Sequence, residues 1–240
     1  MIVLPELGGK GMDLWPALID IAEAIPDGWV LVGGQMVLLH AIENDATWPR
    51  VSLDLDVIVN ARVVAIPSFV SRLEALGFQV DGMSPEGLAH RYKRGEASID
   101  VLAPDGLGSR ANLTTSRPGR TLQVPGGTQA LQRFELVNVR YHDRTGIVPR
   151  PSLLGAIIGK SCSVDVDDAP ANQELDLALL LSLVKDPFEL REDLTTKDRQ
   201  RLRRRRPMLD QRHRVWQSFD EHEAQLALSA LAVLIDDPDT

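Results

Sequence analysis

Cysteine is nearly absent from this chain. Cys162 is the only one in 240 residues, so no intramolecular disulfide can form. That suits a reducing compartment, and a cytoplasmic location is the expectation. Aromatic residues are also scarce, at 5%, so the core must be built mostly from Leu, Val, Ile and Ala. The same scarcity leaves little basic–aromatic interleaving for stacking single-stranded bases. No window approaches eighteen uninterrupted apolar residues, and no membrane-spanning segment is expected. Met1-Ile2-Val3-Leu4-Pro5 has no basic region and no long apolar stretch, which makes it a poor signal peptide. His40, His90, His142, His213 and His222 do not fall at zinc-ligand spacing, and one cysteine cannot complete such a site. Gly-x-Ser-x-Gly is missing, which argues against a serine hydrolase. Gly8-Gly9-Lys10-Gly11 lacks the spacing and the Lys-Ser/Thr ending of a phosphate-binding loop.

What is present is an acidic chain with clustered positive charge. Lys and Arg total 26 against 34 Asp and Glu, a net charge of -8. A surface coated in basic residues for long nucleic acids is excluded, but a local basic groove is not. Arg199, Arg201, Arg203, Arg204, Arg205 and Arg206 form a dense run, and Arg110, Arg117 and Arg120 a looser group. Either could steer a phosphate backbone, and the plainer reading of the run is a solvated helix face paired with acids.

The first part of the chain alternates helix and strand. Apolar spacing predicts a helix over 13–24, a strand over 29–32 and a helix over 35–42. Strict alternation predicts a strand over 51–59, with Val51, Leu53, Leu55, Val57 and Val59 on one face and Ser52, Asp54 and Asp56 on the other. A helix over 68–76 and a short strand over 78–80 follow. Residues 90–93 and 97–102 read as two strands around the turn Arg94-Gly95-Glu96. A loop over 104–127 contains a short strand at 121–124, and 135–141 is a further strand. From Ser152 onward the pattern is helical, over about 152–162, 172–184, 196–206 and 220–235, the last opened by a capping-box pair, Asp220 and Glu223. The expected organisation is α+β: a short mixed sheet flanked by helices over 1–149, and a helical region over 150–240.

The chemistry concentrates in three short stretches. Gly33-Gly34 follows a strand and opens a helix, which lets backbone amides approach a phosphate closely. Asp54 and Asp56 alternate to one face of a strand, and Asp100 projects from another, sharing a face with Ser98 and Leu102. Three carboxylates beside a phosphate cradle can hold two Mg²⁺ ions for phosphoryl chemistry. Asp54 and Asp56 would bridge both metals, while Asp100 would complete the site at the attacking hydroxyl and could serve as its base. The plainer alternative is a solvated acidic sheet face.

Val32-Gly33-Gly34, Asp54-Leu55-Asp56-Val57 and Ser98-Ile99-Asp100-Val101 together resemble the DNA-polymerase-β-like nucleotidyltransferase superfamily. Arg50-Val51-Ser52-Leu53 ahead of the acidic strand is similar to the Arg-x-Ser/Thr-x pattern of its AbiEii/MenT toxin-like branch. That branch also carries a later Lys and a helical Asp, matched by Lys160 in Gly159-Lys160 and Asp176 in Glu174-Leu175-Asp176-Leu177. The resemblance spans about residues 29 to 184. It implies a polymerase-β-like core, catalytic Asp54, Asp56, Asp100 and Lys160, and metal bound by the three aspartates. Nucleotide would be bound by Gly33, Gly34, Gln35, Arg50, Ser52, Lys160 and Asp176. The chain departs from the pattern at Gln35, where a small residue usually stands, and in the long 43–49 loop between the glycines and the aspartates.

Lys160 would stabilise charge on the triphosphate, or else be a surface lysine at a helix end. Asp176 interrupts an apolar helix and needs a partner, Lys160 or an arginine, unless it is exposed. The implied activity is transfer of a nucleoside monophosphate from an NTP to an acceptor hydroxyl. An RNA end, the 3′ end of tRNA, is the implied acceptor, and an antitoxin protein a possible partner. Transfer to a small molecule such as an aminoglycoside antibiotic, or to a protein, stands as a second reading. A non-catalytic binding module of the same fold stands as a third.

Overall fold

The structure is a computed structural model that describes residues 1–50, 52–166 and 168–236. Among the described residues the fold is α+β, with nine strands in two sheets and nine α-helices. The larger sheet runs β2 (Trp29–Val32), β3 (Asp54–Val59), β6 (Ala97–Pro104), β5 (Arg91–Arg94) and β4 (Gln79–Val80), with β7 (Gln123–Val124) paired to β6. It is mixed: β3 and β6 are parallel, while β2–β3 and β5–β6 are antiparallel. A smaller sheet joins β1 (Ile2–Val3), β8 (Phe134–Tyr141) and β9 (Arg144–Pro151).

Helix α1 (Leu14–Ala24) packs on β9, β3 and β6 and buries the apolar stripe its spacing predicts, including Leu14, Leu18 and Ile21. Helix α2 (Gly33–Glu43) starts directly from β2, so its first turn lies beside β3. Helices α3 (Ile66–Ala75) and α4 (Gly127–Gln132) complete the sheet-bearing part. The remaining helices are α5 (Leu153–Ser163), α6 (Pro170–Ser182), α7 (Pro187–Glu192), α8 (Thr196–Arg203) and α9 (Glu221–Ile235). Helix α6 packs on α5, α9 and also α2, so the buried core is continuous from the sheet into the helices.

Several expectations need correction. The acidic strand begins at Asp54 rather than at 51, Leu53 is partly exposed, and Val51 lies outside the described residues. Its parallel partner β6 starts at Ala97, only one residue before Ser98, the partner of Asp54. Strand β9 runs through Pro149 and Pro151, across the boundary expected at 149/150. It is the edge strand of its sheet, where proline is tolerated. The helix expected over 196–206 ends at Arg203 and gives way to a tighter 3₁₀ turn at Arg206–Leu209 around Pro207. The Asp220–Glu223 capping box forms as expected, with Glu223 N donating to Asp220 Oδ1 at 2.8 Å. No helix among the described residues is long and apolar enough to cross a membrane.

Candidate active site

One cleft of about 500 Å³ gathers most of the residues singled out from the sequence. Gly33, Gly34, Arg50, Ser52, Asp54, Asp56, Asp100 and Lys160 all line it. The sheet register explains the acidic part. Asp56 pairs with Val32 on one side and with Asp100 on the other, so helix α2 begins one residue beyond the level of the two aspartates. Asp54 lies two residues earlier on the same face of β3.

Both glycines are required by this closeness. Gly33 has φ +70, and a Cβ there would lie 1.8 Å from Asp56 Oδ2. A Cβ on Gly34 would lie 2.6 Å from Ser52 Cβ and 3.0 Å from an Arg50 nitrogen. The glycines therefore bring the N-terminus of α2 against the acidic strand. The N-cap residue, Val32, makes no side-chain cap, and Gly33, Gly34 and Met36 of the first turn line the cleft.

The carboxylates differ in their partners. Ser52 donates its hydroxyl to Asp54 Oδ1 at 2.5 Å, which fixes the orientation of that carboxylate. Burial and the charges of Asp54 and Asp100 push Asp56 up to about 7, against the opposing pull of Lys160 and Arg91. Asp100 is held by Arg91, whose Nε and Nη2 donate to its two carboxylate oxygens at 2.7 Å each. The Asp100 bond raises the Arg91 pKa further still. His90 Nε2 lies 4.0 Å from Asp100 Oδ2 and also lines the cleft. Neither Arg91 nor His90 was singled out from the sequence as a site residue. The signal for Arg91 was there: the turn 94–97 sets a hairpin register in which residue 91 faces residue 100.

Lys160 and Asp176 come together from α5 and α6. Asp176 is fully buried and accepts from Arg50 Nε at 2.8 Å and Nη2 at 2.6 Å, with Lys160 Nζ 2.7 Å away. Trp48 Nε1 adds a 3.3 Å bond, and the Arg50 guanidinium lies 5.3 Å from the Trp48 ring centre. Burial opposes ionisation of Asp176, but Lys160 and Arg50 outweigh it and its pKa falls below the usual carboxylate range. Lys160 also donates to Gln173 Oε1 at 2.8 Å. It is 4% exposed, which sets aside the surface-lysine reading.

Two expected nucleotide contacts lie away from the cleft surface. Asp176 sits beneath it and acts through Arg50 and Lys160. Gln35 is completely buried and donates Nε2 to Ser52 O at 2.6 Å. Its side chain ties α2 to the segment before β3 and does not face a ligand. The run at 199–206 pairs with acids as in the plainer reading but is not a solvated helix face: Arg204 and the buried Arg205 bond Asp165, and the largely buried Arg201 approaches Asp105 and Asp198. Among the described residues no ion pair reaches Arg110, Arg117 or Arg120, all exposed on the loop before β7.

For a divalent cation the cleft offers two open carboxylates and one that is engaged. Asp54 and Asp56 offer hard oxygen ligands in an environment with surplus negative charge, which suits Mg²⁺. The ligand atoms of the three aspartates do not all lie within 4.8 Å of one another, and Arg91 engages both oxygens of Asp100. Among the described residues the one group with ligand atoms all within 4.8 Å is His40, Glu43 and Glu135. That group is already filled by the buried Arg150, which bonds both Glu43 and Glu135. Burial and the Arg150 charge also press His40 down to about 3. A second cation there would meet the guanidinium.

No protein-family model matches the chain, and no curated protein or solved structure matches it at a significant level.

Proposed function

We propose that this chain is a Mg²⁺-dependent nucleotidyltransferase with a polymerase-β-like core. The observation that carries the reading is the cleft: the N-terminus of a glycine-opened helix, three aspartates on adjacent strands, and two cations fixed by one buried aspartate. Asp54 and Asp56 would hold the cation, with Asp100 joining them once Arg91 gives way. A bound Mg²⁺ would neutralise phosphate charge and ease deprotonation of the acceptor hydroxyl. The chain's own groups account for the rest. The α2 amides and the fixed charges of Arg50 and Lys160 bind the triphosphate and stabilise charge that builds in the transition state. The acceptor oxygen attacks the α-phosphorus, the bond to pyrophosphate breaks, and a cleft carboxylate takes the hydroxyl proton.

The expected boundary at 149/150 falls inside β9, and the labour divides instead between the sheet-bearing part and the helices from α5 onward. The sheet-bearing part supplies the carboxylates, and the helical part supplies Lys160 and Asp176. We place the acceptor among RNA ends, with the tRNA 3′ end the leading candidate and an antitoxin-type protein a possible partner. The three exposed arginines at 110, 117 and 120 support a phosphate-bearing acceptor over a cationic small molecule such as an aminoglycoside. The test is transfer of α-labelled nucleotide to pooled tRNA, to aminoglycosides and to protein, with Asp56→Ala alongside. Retained transfer in that variant would overturn the assignment of the acidic strand.

The bidentate hold of Arg91 on Asp100 favours a second reading, a nucleotide-binding module without turnover. Mg²⁺-dependent NTP binding with no transfer to any acceptor class would select it.

A further inference from the structure

Arg91 stands apart from the other cations of the cleft. Arg50 and Lys160 are anchored on Asp176, below the surface. Arg91 has 45% of its side chain exposed, and its carboxylate partner is Asp100, a member of the acidic triad. Both Asp100 oxygens receive bonds from the same guanidinium, at 2.7 Å each. Each of its oxygens keeps a lone pair, but a divalent cation bound there repels the guanidinium, so the carboxylate binds it best by giving up one of the two bonds. Once it does, a planar two-pronged donor is left without its anion at the edge of the cleft. The geometry that suits a carboxylate also suits a phosphate.

Resting on the nucleotidyltransferase reading, we propose that Arg91 is a triphosphate-binding residue kept in reserve on Asp100, and that filling the cleft exchanges it from the carboxylate to a substrate phosphate. Two events are thereby coupled. Substrate phosphate draws Arg91 away and frees Asp100 as a ligand, while cation binding at Asp100 frees Arg91 for phosphate. Each ligand raises the affinity for the other, as reciprocal linkage requires. A purely structural Arg91–Asp100 pair, pinning β5 to β6, would show no such coupling.

Four proteins decide the matter: wild type, Asp100→Asn, Arg91→Ala and the double variant. The first probe is inorganic tripolyphosphate in EDTA, followed by calorimetry. Asp100→Asn should bind it roughly tenfold more tightly than wild type, because a charge-assisted bond no longer competes for Arg91. Arg91→Ala should bind it more weakly than wild type. The double variant should match Arg91→Ala, with no gain from the Asn. A gain that persists without Arg91 would reflect simple relief of repulsion and would overturn the proposal. So would an Asp100→Asn protein that binds no more tightly than wild type.

The second probe is Mn²⁺ alone, followed by electron paramagnetic resonance. Arg91→Ala should bind it roughly tenfold more tightly than wild type, because Asp100 is released. Equal or weaker binding would contradict the exchange. Should Arg91→Ala fail to fold, Arg91→Gln takes its place with the same expected outcomes, since it removes the charge and the fork but keeps much of the side chain. The broader reading is tested separately, by binding of an NTP with Mg²⁺ to the wild type. Its absence removes the nucleotidyltransferase assignment, whereas the four-protein cycle judges Arg91 itself.

Discussion

Replacing Asp56 by Asn should make the protein more stable above neutral pH while removing a charge its chemistry needs. Asp56 lies between Val32 and Asp100 in the sheet, and burial with the charges of Asp54 and Asp100 lifts its pKa to about 7. Below an unfolded pKa of 3.8, both states carry the proton and the residue costs nothing. As pH rises from about 4 to about 7, the unfolded chain releases its proton while the folded protein retains it. Stability therefore falls across that window, and the full cost is in place above about pH 7. The interval from 3.8 to about 7 corresponds to about 4 kcal/mol, at ~1.4 kcal/mol for each pKa unit. Asp56 faces an open cleft where water and salt screen the charge, which leaves a working figure of about 2 kcal/mol. Urea unfolding in EDTA would measure it for wild type and Asp56→Asn. The variant should gain about 2 kcal/mol near pH 8 and nothing near pH 4. An equal gain at both pH values, or none near pH 8, would refute the reasoning that burial beside Asp54 and Asp100 disfavours the charged form of Asp56.

Gly33→Ala places a Cβ 1.8 Å from Asp56 Oδ2 at φ +70, so thermal unfolding should show a loss of about 2–4 kcal/mol, and NTP binding should fall with it. Asp176→Ala leaves Arg50 and Lys160 unpaired beside a buried void; urea unfolding should report a loss of about 3–5 kcal/mol. In the wild type the Asp176 contribution is present at neutral pH and is lost as pH falls below about 4 towards its lowered folded pKa, a loss the variant should not show. Ser52→Ala removes the hydroxyl that orients Asp54; activity should fall about tenfold with stability changed by less than about 1 kcal/mol. If the acceptor is RNA, replacing Arg110, Arg117 and Arg120 together by Ala should reduce the log–log salt dependence of RNA binding by about 2–3, read by fluorescence anisotropy.

Local pattern carried much of this structure. Alternation around Asp54 and Asp56 placed both on one strand face, and the helical spacing of Leu14, Leu18 and Ile21 named the stripe that α1 buries. What stayed hidden depended on contacts between distant segments. Asp176 meets Arg50 across 126 residues, and nothing local to either says that Lys160 joins them. Gln35 follows the glycines and so looks nucleotide-facing, yet nearly every residue of α2 from Gly34 to Ala41 is buried, and the amide turns to the backbone of Ser52. Helix α4 was masked by its glycines: Gly126 takes a left-handed conformation just before it, and a Gly-Gly pair reads as loop. Arg91 was recoverable by counting residues back from the hairpin turn. Its consequence, that one proposed metal ligand is already engaged, needed the side chains.

The most direct test of the central claim is a label-transfer experiment with paired substrates. Wild-type protein with Mg²⁺ and pooled tRNA is given NTPs labelled at the α-phosphate or at the γ-phosphate. The proposed chemistry predicts that α-label enters the RNA, that γ-label leaves as pyrophosphate, and that EDTA or Asp56→Asn abolishes transfer. Transfer of γ-label, or α-label transfer that survives both EDTA and Asp56→Asn, would contradict it.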